Sequence, residues 1–493
     1  MREVNNTPWC RVHGLMLVLG LLVVLALRLP WVGHLLVWDE AMNLCSVRAL
    51  LAGGQDDFSN WVWRHPPLFC VLMLLVKPMQ GGFAERVELI TIGLALLNAG
   101  LLFAINRKVF GVRVALWSVF FLGVMPGSIF FDVWIKRDIL VVTFGLLAML
   151  LMLHKHLPYA AFCLGLALLT KETAVFYVMA CGLLWLWGAG GRPTWKGAAV
   201  LVVVPLLTCG WWYGWLSRAQ HVEFALSRQT GFNSSWTFYG ARALHDLGWP
   251  GVILAVAGAA VLGVGLLRHS RSGEDAALSR GAYAWPVWLL APSLVLLSLL
   301  PSKVPWVVVV LFPAWATLQS VGVARLLNPT RGGAGQRRVM GAAALLLAGG
   351  LVWQVAGRDY EVTLKRAAEG QWRGAGYSRE IAETMNRLVK DDERVLMTSF
   401  HYWTQLMPGH ACAVFAYYFT RDAAVLLRSH ERGFEALRED VDAYELEWAL
   451  LSPEPGDKER EVFGGFIDQL GLAPVKMEKA YLFRTSALDR KGP

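Results

Sequence analysis

Long apolar runs alternate with short polar connections over residues 1–356 of the chain. Most runs extend for about 15–20 residues, which at about 1.5 Å per helical residue is enough to cross a hydrocarbon layer. The pattern therefore predicts an α-helical polytopic membrane domain with about eleven transmembrane helices. These are predicted at residues 14–36, 86–105, 112–130, 139–153, 157–170, 173–189, 197–216, 249–267, 283–301, 304–323 and 338–356.

One further apolar stretch, Pro67–Met79, does not fit this series. It has only 13 residues, which is short for a membrane span. If it crossed, the basic residues Arg107, Lys108 and Arg113 would fall on the outer side, against the positive-inside bias. We therefore expect a helix lying flat at the interface, inside a first outer loop at residues 38–85.

The pattern changes after residue 356, where charged residues become frequent and apolar runs become short. Helix-like stretches at Ser378–Val389 and Ala423–Leu437 alternate with strand-like ones. The strand-like stretches are Arg394–Thr398, Ala413–Tyr418, Trp448–Leu451 and Ala480–Arg484. This alternation predicts a small α/β domain at residues 357–493, on the outer face of the membrane domain at 1–356.

Charge distribution predicts the topology. Hydrophobic residues make up 56% of the chain, and the formal net charge is +9. The basic residues cluster in the connections predicted to be cytoplasmic, as the positive-inside rule requires, so nucleic acid is not the expected partner. The N-terminus is then cytoplasmic, and the first outer loop and the tail lie outside, in the periplasm if the membrane is the inner membrane of a bacterium.

Two features of the N-terminal third have alternative interpretations. Arg2 and Arg11 before an apolar core are typical of a signal peptide, but no small-residue cleavage site follows, so we expect an uncleaved first span. The seven cysteines show no metal-ligand spacing. Cys45 and Cys70 share the first outer loop, where they are either free thiols or a disulfide in an oxidising compartment.

Two adjacent carboxylates, Asp39 and Glu40, directly follow the first apolar run. The topology puts a set of other polar residues on the same face: Arg64, His65, Arg86, Asp132, Lys136, Arg137, Asp138, Lys171, Glu172 and Lys303. Such a set suits sugar transfer from a lipid phosphate. One ionised carboxylate can serve as the base for the acceptor, and cations hold the leaving phosphate. A glycoside hydrolase would instead need two carboxylates, one of them protonated.

Several motifs in order carry a family resemblance. They are Asp39-Glu40, Arg64-His65-Pro66-Pro67-Leu68, Gly82-Phe83-Ala84-Glu85-Arg86, Lys136-Arg137-Asp138-Ile139-Leu140, Leu169-Thr170-Lys171 and Ser302-Lys303-Val304-Pro305-Trp306. Together they resemble the GT-C superfamily of membrane glycosyltransferases, in the branch of protein O-mannosyltransferases and bacterial aminoarabinose transferases. The resemblance covers residues 1–320 well and the tail only in architecture.

The resemblance implies roles for individual residues. Asp39 corresponds to the catalytic base, His65 to a residue beside the lipid phosphate, and Arg86 to the arginine that opens the second span. Lys303 with Trp306 is similar to a lysine–aromatic pair near the lipid head, where the branch often has Tyr.

The resemblance also bears on the sugar and acceptor. Asp138 corresponds to a second-loop acid that shapes the sugar or acceptor site. Further substrate-binding candidates are Glu40, Arg64, Arg137 and Lys171. Met42 and Arg64 depart from the aminoarabinose branch, which has Arg and an acid there. The implied donor is an undecaprenyl- or dolichyl-phosphate sugar, and the implied acceptor is a lipid, glycan or protein.

Other interpretations of the same residues remain open. Asp138 can pair locally with Lys136 or Arg137, and Lys171 with Glu172, as surface ion pairs. No cofactor is expected, although Asp39, Glu40, His65 and Asp138 are possible ligands for a divalent metal ion. A transporter or flippase of lipid-linked sugars, or a non-catalytic membrane assembly subunit, are the alternative functions.

Overall fold

The computed structural model describes part of the chain. The described residues are 10–33, 38–51, 66–76, 82–188, 193–216, 237–268, 282–299, 305–327, 334–356, 382–390, 393, 395–397, 424–426, 448–451, 475–477 and 480–484. The chain divides into two compact units. The first contains Met1–Gly33 and Trp63–Leu364, and the second contains His34–Val62 and Lys365–Pro493.

The first unit is helical throughout its described residues. One helix, α2 (Trp38–Leu51), belongs to the second unit. The helices of the first unit are α1 (Arg11–Ala26), α3 (Leu68–Leu74), α4 (Phe83–Phe110), α5 (Val112–Val124), α6 (Pro126–Asp132), α7 (Asp138–Leu153), α8 (Leu157–Leu168), α9 (Val175–Leu186), α10 (Trp195–Leu216), α11 (Phe238–Arg268), α12 (Trp285–Leu299), α13 (Phe312–Leu327) and α14 (Ala334–Ala356). Short 3₁₀ helices occupy Leu29–Trp31, Glu172–Ala174 and Pro305–Leu311.

Several of these helices are long and apolar enough to cross a membrane. In the described residues they are Arg11–Trp31, Phe83–Phe110, Trp195–Gly214, Phe238–Leu266 and Val307–Leu327. Val112–Val124 and Pro126–Asp132 make a further span if the two helices, bent by 66°, count as one. Shorter apolar helices are Asp138–Leu153, Leu157–Leu168, Glu172–Leu186, Trp285–Leu299 and Arg338–Trp353. The chain is therefore a multi-pass helical membrane protein, and the count of eleven spans remains a prediction.

The ambiguous apolar stretch contains only the short helix α3. Its seven residues extend about 10 Å, a third of the hydrocarbon thickness. Phe69, Cys70 and Met73 are buried on one side of it. A crossing by this helix alone is excluded by its length, while its orientation to the membrane plane stays a prediction.

A proline explains the bend between α5 and α6. Pro126 has no N–H, so the carbonyl of Leu122 loses its partner four residues ahead. The guanidinium of Arg28, at the end of α1, donates instead to Leu122 O at 3.3 Å and to Gly123 O at 3.1 Å. The first helix thus satisfies the backbone carbonyls that the bend exposes.

Arg28 also forms an ion pair at this bend. Its Nε and Nη2 atoms donate to Asp132 Oδ2 at 2.9 and 2.6 Å, and Nη2 donates to Ser128 Oγ at 2.9 Å. The arginine side chain has no exposed surface. Because both charges are buried and hydrogen-bonded, the pair holds the C-terminal ends of α1 and α6 together.

Glycines allow α11 and α13 to pack backbone against backbone. A Cβ at Gly258 would overlap the carbonyl oxygen of Leu318, and one at Gly322 would overlap that of Leu254. Close approach through small residues is a common mode of helix association in membranes. Helix α11 is interrupted at Gly248 (φ 69°, ψ 160°), two residues before Pro250, so it begins well before the span predicted at 249–267.

Two connections predicted to be cytoplasmic meet at one end of the first unit. Burial and the neighbouring charges of Lys108 and His156 lower the pKa of His154 below its usual value of 6.5. Lys108 lies at the end of α4, and His154 follows α7. Asp138 starts the 16-residue helix α7 at its other end, about 24 Å away.

The described part of the second unit contains α2, a helical segment at 382–388 and a five-stranded sheet. The strands are β1 (Val395–Met397), β2 (Ala424–Leu426), β3 (Trp448–Leu451), β4 (Val475–Met477) and β5 (Ala480–Arg484), in the order β2-β1-β3-β5-β4. β1 is parallel to β2 and β3, and β5 is antiparallel to β3 and β4.

The sheet corrects part of the prediction for the tail. The prediction of helix at Ala423–Leu437 is wrong at β2, whose three residues pair with β1. Strand β4 was not predicted, and Ala413–Tyr418 lies outside the described residues. The predicted domain boundary at 356 and 357 remains a prediction, because residues 357–381 also lie outside them.

Candidate functional site

The structure describes the side chains of five of the ten predicted site residues: Glu40, Arg86, Arg137, Asp138 and Lys171. Arg64, His65 and Lys303 lie outside the described residues, and so do the side chains of Asp39 and Trp306. The backbone places Asp39 as the second residue of α2 and Trp306 in the 3₁₀ helix Pro305–Leu311. Glu40, the next residue of α2, is fully buried.

Asp138 and Lys171 form the first part of the site. Asp138 is the first residue of α7 and is 1% exposed. Lys171 Nζ donates to its Oδ2 at 2.6 Å, and Thr173 Oγ1 lies 3.4 Å from its Oδ1. The alternative of a local surface pair with Lys136 or Arg137 is therefore wrong for Asp138, and Lys171 pairs with Asp138 rather than with Glu172.

Arg137 is a nearly buried cation, with only 6% of its surface exposed. Its Nη2 lies 3.6 Å from Cys70 Sγ, and its Nε has no hydrogen-bond partner in the described part of the chain. A thiol is a weak acceptor and does not offset the loss of hydration of a guanidinium. Cys70 carries no disulfide, so the predicted alternative of a Cys45–Cys70 bond is wrong.

Lys136 adds a second buried cation beside Arg137. Its Nζ lies 4.5 Å from the centre of the Trp134 ring, in a cation–π contact. The aromatic residues Phe130, Phe131 and Trp134 contact one another around this turn. Among the described residues, the cations at 136, 137 and 171 and the carboxylate of Asp138 thus lie at or near the start of α7.

Arg86 holds the end of the α3 segment. Its Nε donates to Val76 O at 3.0 Å from the first turn of α4. Two residues further along α4, buried Glu88 accepts a hydrogen bond of 2.6 Å from Gly33 N. Glu88 was not identified from the sequence, because an acid two residues beyond Arg86 resembles an ordinary charged helix start.

A second charged cluster, on α11, was also not predicted from the sequence. Asp246 on α11 is buried and binds Arg242 and His245 of the same helix. The i, i+3, i+4 spacing of these residues, just before the apolar run at 249, was the available signal.

These contacts place the charged residues at the start of α7 and those on α11 at one end of the first unit. Asp132, bound by Arg28, is six residues from Asp138, and Arg242 lies over the ring of Phe131, 5.5 Å from its centre. The ends of α1, α6 and α8 therefore meet the starts of α7 and α11. This agrees with the predicted convergence of the second outer loop and Lys171. The position of Asp39 relative to them remains a prediction.

A metal ion has few ligands in this cluster. Across the described ranges, no group of three or more His, Cys, Asp and Glu side chains is arranged to hold one. The carboxylate of Asp138 faces an ammonium and a hydroxyl group. The part of the predicted ligand set at Asp39 and His65 is not described, so metal binding there stays a prediction.

Solved structures share this fold. ArnT from Cupriavidus metallidurans bound to undecaprenyl phosphate aligns with a TM-score of 0.59 and 17% identity, over 97% of this chain and 98% of that one. The oligosaccharyltransferase AglB from Archaeoglobus fulgidus, in complex with an inhibitory peptide and a dolichol-phosphate, aligns with a TM-score of 0.55 and 9% identity. That alignment covers 90% of this chain and 69% of AglB. No protein-family model and no curated protein matches the chain.

Both of these structures are GT-C glycosyltransferases, and one of them matches nearly the whole chain. At these identities the likeness concerns the fold. The predicted GT-C-like fold is therefore confirmed, and the roles of individual residues remain predictions.

Proposed function

We propose that the protein is an inverting glycosyltransferase. It moves a sugar from a polyprenyl phosphate to a hydroxyl or amine of a lipid, glycan or protein acceptor. Asp39 takes the acceptor proton as the acceptor atom bonds to the anomeric carbon. The bond from that carbon to the phosphate oxygen breaks at the same time, and polyprenyl phosphate leaves as an anion. Because the leaving group is already acidic, no proton donor is needed.

The observation that carries this proposal is the burial of Arg137. This guanidinium is removed from water, and its Nε has no partner among the described residues. Burying such a charge is costly unless an anion pairs with it and accepts its hydrogen bonds. Arg137 lies beside Asp138, whose charge is already matched by Lys171. The incompletely bonded guanidinium at the start of α7 therefore fits an anionic ligand such as a phosphate.

The other cations have distinct proposed roles. Lys171 is held in place by Asp138, which makes Asp138 a positioning residue in this proposal. His65, Arg86 and Lys303 are proposed to hold the phosphate, as the family resemblance implies.

The remaining predicted residues are proposed to contact the sugar or the acceptor. They are Glu40, Arg64 and Trp306. A transfer site of this kind opens to the outer face of the membrane, which in a bacterium is the periplasmic face of the inner membrane.

The neighbouring structures support the donor class. One holds undecaprenyl phosphate and the other a dolichol-phosphate, which are both polyprenyl phosphates. An aminoarabinose donor is not favoured, because Met42 and Arg64 depart from the residues of that branch.

The test has two stages. Mass spectrometry of envelope glycolipids and glycoproteins, with and without the gene, identifies the sugar and its acceptor. The purified protein is then assayed with the corresponding labelled polyprenyl-phosphate sugar. We expect Asp39→Asn to reduce transfer by about a hundredfold or more, the usual effect of losing a general base, while Glu383→Gln, an exposed carboxylate in the tail, retains activity.

Two results would contradict the proposal. Near wild-type turnover of Asp39→Asn would end the assignment of the base. Movement of the labelled lipid across a reconstituted bilayer without any new glycosidic bond would instead favour a flippase.

A further inference from the structure

The start of α11 carries a compact charged cluster that the roles above do not use. Arg242 Nε donates to Asp246 Oδ2 at 2.9 Å, and Arg242 Nη2 lies 2.8 Å from Asp246 Oδ1. His245 Nδ1 lies 3.1 Å from the same Oδ1. One carboxylate thus holds a guanidinium and an imidazole that are three residues apart on the same helix.

The acid is buried, and its two partners are partly exposed. The Asp246 side chain is 2% exposed, against 19% for Arg242 and 44% for His245. A buried carboxylate bound to two partly exposed side chains can orient them, in the way that supporting acids orient binding residues.

Asp246 is closely packed against α6. A Cβ on Gly127 of α6 would lie 2.7 Å from Asp246 Cβ and 2.8 Å from Phe312 Cζ. Arg242 lies over the ring of Phe131, the residue before Asp132. The cluster is therefore packed against the helix that leads directly into Lys136, Arg137 and Asp138.

The two partners keep unused hydrogen-bonding capacity. A guanidinium has five N–H donors, and Asp246 takes two of them through Nε and Nη2. Within the described part of the chain, the remaining donors of Arg242 and the Nε2 atom of His245 have no hydrogen-bond partner. A local ion pair would explain the burial of Asp246 but not the presence of the imidazole beside it.

We propose that Asp246 positions Arg242 and His245 to bind one phosphate group borne by a lipid, as an anion site in addition to Arg137 and Lys171. Three free guanidinium donors match the geometry of a phosphate oxyanion, and the imidazolium form of His245 adds an Nε2–H donor. The lipid is either the polyprenyl phosphate of the proposed donor or a phospholipid of the surrounding membrane. The first source rests on the proposed function, and the second does not.

Binding to the purified full-length chain tests this site without any transfer reaction. Affinities are measured for undecaprenyl phosphate, for phosphatidylglycerol and for uncharged undecaprenol. We expect Arg242→Gln to weaken phosphate-lipid binding about tenfold, the effect of one charge-assisted hydrogen bond, and His245→Gln to weaken it severalfold. Undecaprenol binding should not change, which separates loss of the site from loss of the fold.

Asp246→Asn tests the positioning role. It should lower phosphate-lipid affinity in the wild-type background but add nothing to Arg242→Gln, because its effect passes through the arginine. Arg113→Gln, an exposed arginine at the start of α5, is the matched control and should bind like the wild type.

The pattern across lipids identifies the source of the phosphate. A loss confined to undecaprenyl phosphate assigns the site to the donor carrier, and an equal loss for phosphatidylglycerol assigns it to membrane headgroups. Wild-type affinities for both phosphate lipids in Arg242→Gln and His245→Gln would overturn the proposal. Because no sugar is transferred in this assay, its outcome is independent of whether Asp39 is the base.

Discussion

The ammonium group of Lys171 lies 2.6 Å from Asp138 Oδ2, although the two residues are 33 positions apart in the chain. The lysine follows α8 and the acid begins α7, so the pair joins the adjacent ends of two antiparallel neighbours. Asp138 is buried and Lys171 is partly exposed. The buried carboxylate therefore needs the lysine to neutralise its charge, whereas the partly exposed ammonium group can also be hydrated by water.

Lys171→Gln should destabilise the protein by about 1–3 kcal/mol, because it leaves the buried carboxylate with only the distant Thr173 hydroxyl. Adding Asp138→Asn should recover part of that loss. A double-mutant cycle of unfolding free energies measures the coupling. Lys196→Gln, an exposed lysine at the start of α10, should be close to neutral, and additive single effects would show that the pair is not coupled.

Arg28→Met should cost about 3–5 kcal/mol, since it leaves Asp132 charged and buried and frees the carbonyls of the α5–α6 bend. Arg28→Lys should restore only part of this stability, because one ammonium cannot replace both the paired donors to Asp132 and those to the carbonyls. The unfolding temperatures of the detergent-solubilised proteins rank the variants by stability. Arg11→Met, at the exposed start of α1, is the control, and an equal shift for both substitutions would contradict a role specific to Arg28.

Gly258→Ala and Gly322→Ala should each destabilise the protein, because the added methyl group overlaps a backbone carbonyl of the opposite helix. Gly263→Ala provides a control on the same helix as Gly258. No atom lies within 4 Å of its added Cβ, and alanine favours the helix, so its unfolding temperature should equal or exceed that of the wild type. Equal unfolding temperatures for Gly258→Ala and Gly263→Ala would mean that α11 and α13 are not held at backbone contact.

Arg137→Gln should separate ligand binding from stability. The ligand-free protein should be as stable as the wild type or more stable, since an incompletely paired buried charge has been removed. Affinity for undecaprenyl phosphate should fall about tenfold, measured by direct binding. A large loss of stability in the absence of lipid would instead show that Arg137 is a structural residue.

The helices of the membrane unit follow from local sequence. The lengths of the apolar runs set the spans, and Pro126, Gly248 and Pro250 mark where a helix bends or breaks. Local pattern failed in the tail at Ala424–Leu426, where a helix-like stretch forms strand β2. Sheet pairing with β1 is a non-local interaction that overrides a weak helix preference.

The sequence by itself determined that the protein is a multi-pass helical membrane protein and that its polar residues collect near the ends of the spans. Hydropathy and charge bias are properties of single segments, so the order of residues carries them. Only the tertiary structure decided which charges meet. Arg28 pairs with Asp132, 104 positions away, and Asp138 pairs with Lys171 rather than with its neighbours in the sequence. These pairings depend on which helix ends come together and on which charges are buried there. Neither property can be predicted from the sequence of a single segment.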